Sequence, residues 1–185
     1  RIAYPEYRTQ TECILAAHFQ LAPDCQAAAD QLAAMVKQCG VQLQTGFVGT
    51  PYILHTLSDH GYAELAYSLL LREEYPSWLY PVTKGATTIW EHWDGIMPDG
   101  NFWSADMNSY NHYAYGAVAD WIYSVAAGIQ RIPEFPGYEK VRIAPIPDSR
   151  LGWLSISLDT RYGTIRSGWK KSENVWRYEI KIGRA

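Results

Sequence analysis

One glutamate has the surroundings expected of a residue that performs acid–base chemistry. Glu91 lies between Trp90 and Trp93 in the run TTIWEHWD. A carboxylate between two indoles is partly desolvated, which makes it a better general base near neutral pH. The two indoles would share one face if this run were helical. The alternative is a carboxylate at the rim of a pocket, paired with Lys84 or Arg72.

Three aspartates follow Glu91 and are candidates for a second catalytic carboxyl group: Asp94, Asp99 and Asp106. Hydrolysis of a glycosidic bond normally needs two carboxyl groups, one on each side of the bond. The run Pro98-Asp99-Gly100-Asn101 is strong turn sequence. Asp106 is equally well explained as the cap of a loop. We therefore expect structural roles for Asp99 and Asp106.

His112 is the second candidate for chemistry, and it lies in the run NSYNHYAYG before a predicted helix. A neutral imidazole there could hold a ligand hydroxyl or orient a water molecule. The alternative is a histidine that bonds to backbone at the helix start. No His or Cys cluster has zinc spacing, and the loop QTGFVGT lacks the lysine of a phosphate-binding loop. The sequence predicts no metal ion and no cofactor.

The aromatic candidates lie in one long segment, Tyr75–Asn111, which has no regular hydrophobic period. Segments of this length within a compact domain are usually functional or disordered. Its four tryptophans argue against disorder, so we interpret it as the functional site. The candidate ligand-binding indoles are Trp78, Trp90 and Trp93.

Short helices are predicted to hold this segment in place. Asp24 and Thr50 are expected N-caps, and glycines are expected to end most of the helices. The apolar spacing predicts helices over Thr9–Phe19, Asp24–Cys39, Thr50–His60, Tyr62–Arg72 and Gly116–Ala127.

After Pro136 the apolar period changes to two, which is typical of strands. Val141–Ile143, Leu154–Leu158 and Trp176–Ile182 alternate apolar with polar residues, with turns expected at Tyr162-Gly163 and Glu173-Asn174. The pattern predicts a small antiparallel sheet with one solvated face. The expected fold is mainly α with a β tail, divided between residues 132 and 133.

Composition limits the classes of function. The 185 residues are 48% apolar with a net charge of −3, so disorder is excluded as the main state. Sixteen Lys and Arg against 19 Asp and Glu, without a basic block, argue against a nucleic-acid partner. No run of about 18 apolar residues predicts a membrane span. Eight Trp and 14 Tyr against four Phe favour ligands that are partly wet, such as sugars, nucleobases or peptides.

Taken together, the motifs resemble the C-terminal part of bacterial α-L-rhamnosidases, glycoside hydrolase family 78. The matching runs are TGFVGTPYILHTL, YPSWLYPVTKGATTIWEHWD, MNSYNHYAYGAVADWIY and VAAGI, in order over nearly the whole chain. The resemblance implies a partial (α/α)6 barrel over residues 1–132 and a partial C-terminal β-sandwich over residues 133–185. It also implies an inverting hydrolase that releases terminal α-L-rhamnose.

The resemblance assigns roles residue by residue. Glu91 falls on the family's general base and His112 on its sugar-binding histidine, while His92 stands where the family commonly has arginine. Nothing in the chain matches the family's general acid, which lies in an earlier segment. On this interpretation the chain is a fragment that holds the base and part of the sugar pocket and is inactive alone.

Two other functions remain open at this stage. One is a non-catalytic carbohydrate-binding or structural remnant, and the other is a different α-toroid glycosidase or lyase, which the TTIWE and NHYAYG pair disfavours. The expected partner is a rhamnose-containing glycoside, with no nucleic acid and no membrane. Surfaces left uncovered in a fragment favour a homo-oligomer. The sequence does not fix the compartment, and a bacterial cytoplasm is favoured over secretion or the periplasm.

Overall fold

The computed structural model describes residues 6–183, which form two compact units that meet at Val118 and Ala119. Helices dominate the first unit and antiparallel strands the second, so the predicted fold class is confirmed. The predicted boundary at residues 132 and 133 stays a prediction. None of the helices in the described part of the chain is long and apolar enough to cross a membrane.

The first unit begins with two capped helices, α1 (Gln10–His18) and α2 (Cys25–Gln38). The Glu12 amide donates a hydrogen bond to the Thr9 hydroxyl, and the Thr9 amide donates one to the Glu12 carboxylate. This reciprocal pair is a capping box. Asp24 caps α2, as predicted, by accepting the amide of Ala27 at 2.9 Å. The two helices pack through small residues at their interface: Ala16, Ala17, Ala28 and Ala29.

Three further α-helices follow in this unit: α3 (Thr50–Asp59), α4 (Ala63–Leu70) and α5 (Leu79–Thr83). Thr50 is the first residue of α3 and Gly49 its N-cap, so the predicted cap is one residue off. The Thr50 hydroxyl instead bonds to the hydroxyl of Thr45 at 2.8 Å. Helix α5 lies inside the segment that the sequence indicated as irregular, and the run from Trp90 to Trp93 is not helical.

The last helical segment changes its hydrogen bonding along its length. It comprises a 3₁₀ turn (Ala114–Ala117), the short helix α6 (Val118–Trp121) and a π-helical turn (Ile122–Ala126). Gly128 follows at φ +72°, and a Cβ there would lie 2.1 Å from the Pro145 nitrogen. The predicted stop is confirmed, because only glycine fits this backbone approach.

The second unit contains two antiparallel sheets. Strands β1 (Ile129–Arg131) and β2 (Val141–Ile143) form one, and β3 (Trp153–Thr160), β4 (Gly163–Ser172) and β5 (Val175–Ile182) form the other in that order. The sequence analysis missed β1 and β4.

The inner face of the larger sheet is buried on β4 and half-buried on β3. Ile165 packs with Ala127 and Ile129, and the Ser167 hydroxyl donates to the Ala127 carbonyl at 2.6 Å. On β5 the predicted apolar face is about half exposed, at Tyr178, Ile180 and Ile182. The prediction of one solvated face therefore holds on β3 and β4, whereas β5 is largely exposed on both faces.

Candidate active site

Two backbone segments, one with Glu91 and one with His112, run side by side and are joined by hydrogen bonds. The amide of Glu91 donates to the carbonyl of Ser109 at 2.9 Å, and the amide of His112 donates to the carbonyl of Ile89 at 2.8 Å. This pairing follows an antiparallel pattern, although neither stretch belongs to a strand. Both candidate residues are half-buried, so their side chains retain contact with solvent.

The three candidate indoles are buried, and two of them, Trp78 and Trp93, contact each other. Trp78, Trp90 and Trp93 each expose less than a tenth of their area, between 6% and 8%. The ring of Trp93 stacks on Tyr115 at 3.8 Å, and Trp78 meets Trp93 edge-on at 5.5 Å. The Trp78 indole also donates to the Tyr115 carbonyl at 2.9 Å. Their role in sugar binding stays a prediction.

A second aromatic contact fixes the loop that follows Glu91. Trp90 meets Tyr110 edge-on at 5.1 Å, and the Tyr110 hydroxyl donates to the Gly95 carbonyl at 2.8 Å. A Cβ on Gly95 would lie 3.0 Å from the Tyr110 ring and 3.2 Å from that of Trp90. The loop therefore closes this tightly because residue 95 has no side chain.

Two aromatic rings stack against the imidazole of His112. The ring centroid of Phe47 lies 4.9 Å away at an interplanar angle of 10°, and that of Tyr113 lies 5.4 Å away at 7°. The Nδ1 atom accepts the amide of Ala114 at 3.3 Å, so the proton of the neutral ring is on Nε2. The geometry thus presents His112 as a hydrogen-bond donor of fixed orientation.

Sequence reasoning missed Phe47. It lies in the loop QTGFVGT, whose sequence indicated only that a phosphate-binding loop is absent there. The buried side chain of Gln10 anchors the approach to this loop, because it donates to the Gln42 carbonyl at 3.0 Å and accepts the Gln44 amide at 2.9 Å. The stacking partner of Phe47 is far away in sequence, so no local pattern indicated it.

Tyr115 lies within electrostatic reach of Glu91. Burial raises the pKa of Tyr115, and the charges of Tyr75 and Glu91 raise it further. The Tyr115 phenol is therefore protonated and neutral near neutral pH. Phe47 also contacts this ring at 5.2 Å, so Tyr115 joins the buried indoles to the loop of Phe47.

The alternative partners of Glu91 are occupied elsewhere. Arg72 lies 3.8 Å from the carboxylate of Glu74, and Lys84 donates to the Pro98 carbonyl at 3.4 Å. Neither forms an ion pair with Glu91 within the described residues. The predicted alternative of a paired rim carboxylate is therefore not what the structure contains.

Asp99 has the turn role that the sequence indicated, whereas the loop cap expected at Asp106 is provided by the Ser104 hydroxyl, which accepts the amides of Asp106 and Met107. The Asp99 carboxylate accepts the amide and the side chain of Asn101, and these bonds lower its pKa. Asp106 is exposed. Asp94 is half-buried, and its charge adds to the effect of burial in raising the pKa of Tyr75. Residues 6–183 contain no group of His, Cys, Asp and Glu that could hold a metal ion.

Both units match family models of known proteins. Residues 4–126 match the bacterial alpha-L-rhamnosidase 6 hairpin glycosidase domain, and residues 128–184 match the bacterial alpha-L-rhamnosidase C-terminal domain. The helical unit is thus similar to part of a six-hairpin barrel, as the sequence predicted.

Individual relatives agree with these matches. An alpha-L-rhamnosidase of Streptomyces avermitilis is 42% identical over 88% of this chain, and one of Formosa agariphila is 41% identical over 94%. The crystal structure of the Streptomyces avermitilis enzyme complexed with L-rhamnose has a TM-score of 0.85 and 40% identity over 91% of the chain. The chain spans between 16% and 19% of the length of these relatives.

Proposed function

Since the chain belongs to the bacterial α-L-rhamnosidase family, we propose that it supplies the general base and part of the sugar pocket of an inverting enzyme that releases terminal α-L-rhamnose. The observation that supports this most directly is the backbone pairing that places Glu91 beside the segment of His112. A base and a fixed hydrogen-bond donor on adjacent segments suit a water molecule and a sugar hydroxyl.

In the proposed step the Glu91 carboxylate takes a proton from a water molecule. The water oxygen then forms a bond to the anomeric carbon, and the bond from that carbon to the leaving oxygen breaks. A carboxylic acid on the other side of the sugar protonates the leaving oxygen. Inverting enzymes separate the two carboxyl groups by ~6.5–9.5 Å so that the water fits between them. We assign the acid to a segment upstream of this chain.

The aromatic residues divide into two roles in this proposal. His112 donates from Nε2 to a rhamnose hydroxyl, since its Nδ1 is already used by the Ala114 amide. The three indoles line the pocket and contact sugar through the small edges that they expose: Trp78, Trp90 and Trp93. Their buried faces hold the segment of Glu91 in position.

The test is Glu91→Gln in a full-length enzyme that contains this sequence. The amide keeps the size of the side chain but takes no proton from water, so the chemical step should slow by at least ~10²-fold. Rhamnose affinity should be retained, because His112 and the aromatic cluster remain. Single-turnover kinetics and rhamnose binding measure the two effects separately.

Glu73→Gln is the matched control, since Glu73 is exposed on a loop outside the paired segments of Glu91 and His112. Azide should partly restore turnover to Glu91→Gly, because this anion attacks without a base, and the product should be the β-configured glycosyl azide. A rate for Glu91→Gln within a few-fold of the parent enzyme would refute the assignment.

A non-catalytic carbohydrate-binding role is the second candidate. It is favoured by the turn role of Asp99 and by the exposure of Asp106, which leave Glu91 without a second carboxylate from either residue. A full-length parent protein that binds rhamnose but hydrolyses no rhamnoside would support it over the proposed enzyme.

A further inference from the structure

The outer face of the β3–β4–β5 sheet concentrates positive charge. The strand register places its side chains in rows across the sheet, three of which span all three strands. The first of these is Trp153, Lys170 and Arg177, the second is Ser155, Gly168 and Glu179, and the third is Ser157, Arg166 and Lys181. The four cations are exposed. The described strands carry two carboxylates on this face: Glu179 within these rows, and Asp159 in the next row, where it accepts the hydroxyl of Thr164.

Two like-charged pairs face each other directly across neighbouring strands. Lys170 is opposite Arg177, and Arg166 is opposite Lys181. Like charges in directly opposed positions destabilise a sheet. Glu179 forms a salt bridge with Lys181, and this hydrogen bond lowers the pKa of Glu179. Lys170 and Arg177 form no ion pair with any described carboxylate, so stability alone does not account for their placement.

A depression lies between the two cationic pairs. Its volume is about 660 Å³, and it is lined by all four cations and by Glu179, so the cations outnumber the carboxylate four to one. Gly168 provides the floor, where a Cβ would lie 2.8 Å from the Leu154 carbonyl oxygen of β3. Trp153 stands at the rim with 64% of its surface exposed. Cations around a hollow with a free indole at its edge complement an anionic ligand that also has an apolar face.

We propose that this depression binds an anionic carbohydrate, whose carboxylates or sulfate esters pair with the four cations while a pyranose ring stacks on Trp153. Charge-assisted bonds to Lys and Arg give the affinity, and an exposed indole suits the apolar face of a sugar. The choice of a carbohydrate over other anions rests on the proposed function. The site itself contains no residue of the catalytic proposal.

The first experiment is calorimetric titration of the 185-residue chain with a pentamer of galacturonic acid. The matched ligand is the same pentamer with all carboxylates methyl-esterified, which keeps the backbone and removes the charge. We expect the ester to bind at least about tenfold more weakly. Affinity for the acid should fall between ~50 and ~300 mM NaCl, because salt screens exposed charges. A sulfated galactan pentamer distinguishes sulfate from carboxylate recognition.

The variants test the face directly. K170Q/R177Q should lower the affinity about tenfold, and Trp153→Ala should lower it about threefold to tenfold. Lys171→Gln is the matched control, because Lys171 lies on the same strand with its side chain on the opposite face, near the Trp176 ring at 5.7 Å. It should change the affinity less than twofold. Circular dichroism confirms that each variant is folded.

Three outcomes would overturn the proposal: no binding of either charged pentamer, equal binding of acid and ester, or tighter binding of duplex DNA or anionic phospholipid vesicles. Failure of this proposal can be told apart from failure of the proposed function, since Glu91→Gln should leave pentamer affinity unchanged. Loss of hydrolysis in that variant without any pentamer binding would refute this site alone.

Discussion

At the scale of single residues, the orientation of His112 depends on a residue that takes no part in the chemistry. Phe47 covers one face of the imidazole, and the Ala114 amide fixes its tautomer. A stacked aromatic pair contributes about 0.5–1.5 kcal/mol beyond its buried area. Phe47 is therefore a positioning residue in the proposed pocket.

Phe47→Leu removes the stacked ring and keeps an apolar side chain. We expect the ¹⁵N shifts of His112 to move from those of the Nε2–H form towards the average of the two tautomers, measured by NMR on the 185-residue chain. In a full-length enzyme KM should rise about 2–10-fold, the equivalent of the lost stacking energy. Phe19→Leu is the control, because Phe19 is exposed and contacts His18 and Tyr52 outside the site. An unchanged tautomer in Phe47→Leu would contradict the positioning role.

Cys13 gives a prediction about pH. Burial, and secondarily the charge of Glu12, raise the pKa of its thiol to about 11. A group whose pKa is raised by folding stabilises the fold fully below its unfolded pKa, about 8.5. That stabilisation is lost as the pH rises through about 11. Unfolding free energy should therefore fall between these values, and less steeply in Cys13→Ala.

Alkylation checks the same residue independently. The thiolate is the reactive form, and Cys13 is fully buried whereas Cys25 and Cys39 are partly exposed. Iodoacetamide at pH 8.5 should label Cys25 and Cys39 well before Cys13, as measured by mass spectrometry. Equal labelling of all three in the folded chain would refute the burial of Cys13.

At the scale of elements, the sequence predicted what local periodicity and capping determine. The capped helix at Asp24 and the alternating strand β3 were predicted close to their observed bounds. Strand β4 was missed because Ser167 and Gly168 interrupt its apolar alternation. Ser167 is buried through a hydrogen bond to the Ala127 carbonyl, and Gly168 lies close to the β3 backbone. Both residues are explained by contacts with other elements of the fold, and such contacts leave no periodic pattern in the sequence.

The same distinction applies to the candidate site. Glu91 and His112 lie in local motifs, so the sequence indicated both residues. Their proximity depends on backbone hydrogen bonds between distant segments, and the stacking of Phe47 depends on the loop that Gln10 anchors. The sequence also indicated Trp78, Trp90 and Trp93 as ligand-binding indoles, but not that all three would be buried or that Trp93 would stack on Tyr115.

The like-charged pairs of the sheet predict a gain in stability on substitution. Arg177→Gln removes the repulsion between Arg177 and the directly opposed Lys170. We expect the free energy of unfolding to rise by about 0.2–1 kcal/mol in low salt, measured by urea denaturation. The gain should shrink in high salt. Lys171→Gln should show no gain, because Lys171 faces Trp176 across the strands. A loss of stability in Arg177→Gln would show that the pair is not repulsive.

At the scale of the whole molecule, the proposed mechanism divides between this chain and sequence beyond it. The chain spans 16% to 19% of the length of its relatives, and the proposal places the base here and the acid upstream. Base and acid act on opposite sides of one sugar, so each contributes little alone. The half-exposed β5 face is similarly incomplete, since Ile180 and Ile182 alternate as core residues do but lack a covering layer in the described structure.

The 185-residue chain by itself should therefore hydrolyse alkyl α-L-rhamnosides poorly or not at all. An alkoxide is a poor leaving group, so loss of the general acid should lower the rate by the full roughly 10²–10⁴-fold that such assistance contributes. A p-nitrophenyl rhamnoside has a leaving group that needs little protonation, and any residual turnover should appear there first and disappear in Glu91→Gln. Release of rhamnose from both substrates, measured side by side, separates the two effects.

Efficient turnover of the alkyl rhamnoside would mean that a second carboxylate lies within the chain. Asp94→Asn would then identify it, since Asp94 is half-buried and already acts on the Tyr75 phenol.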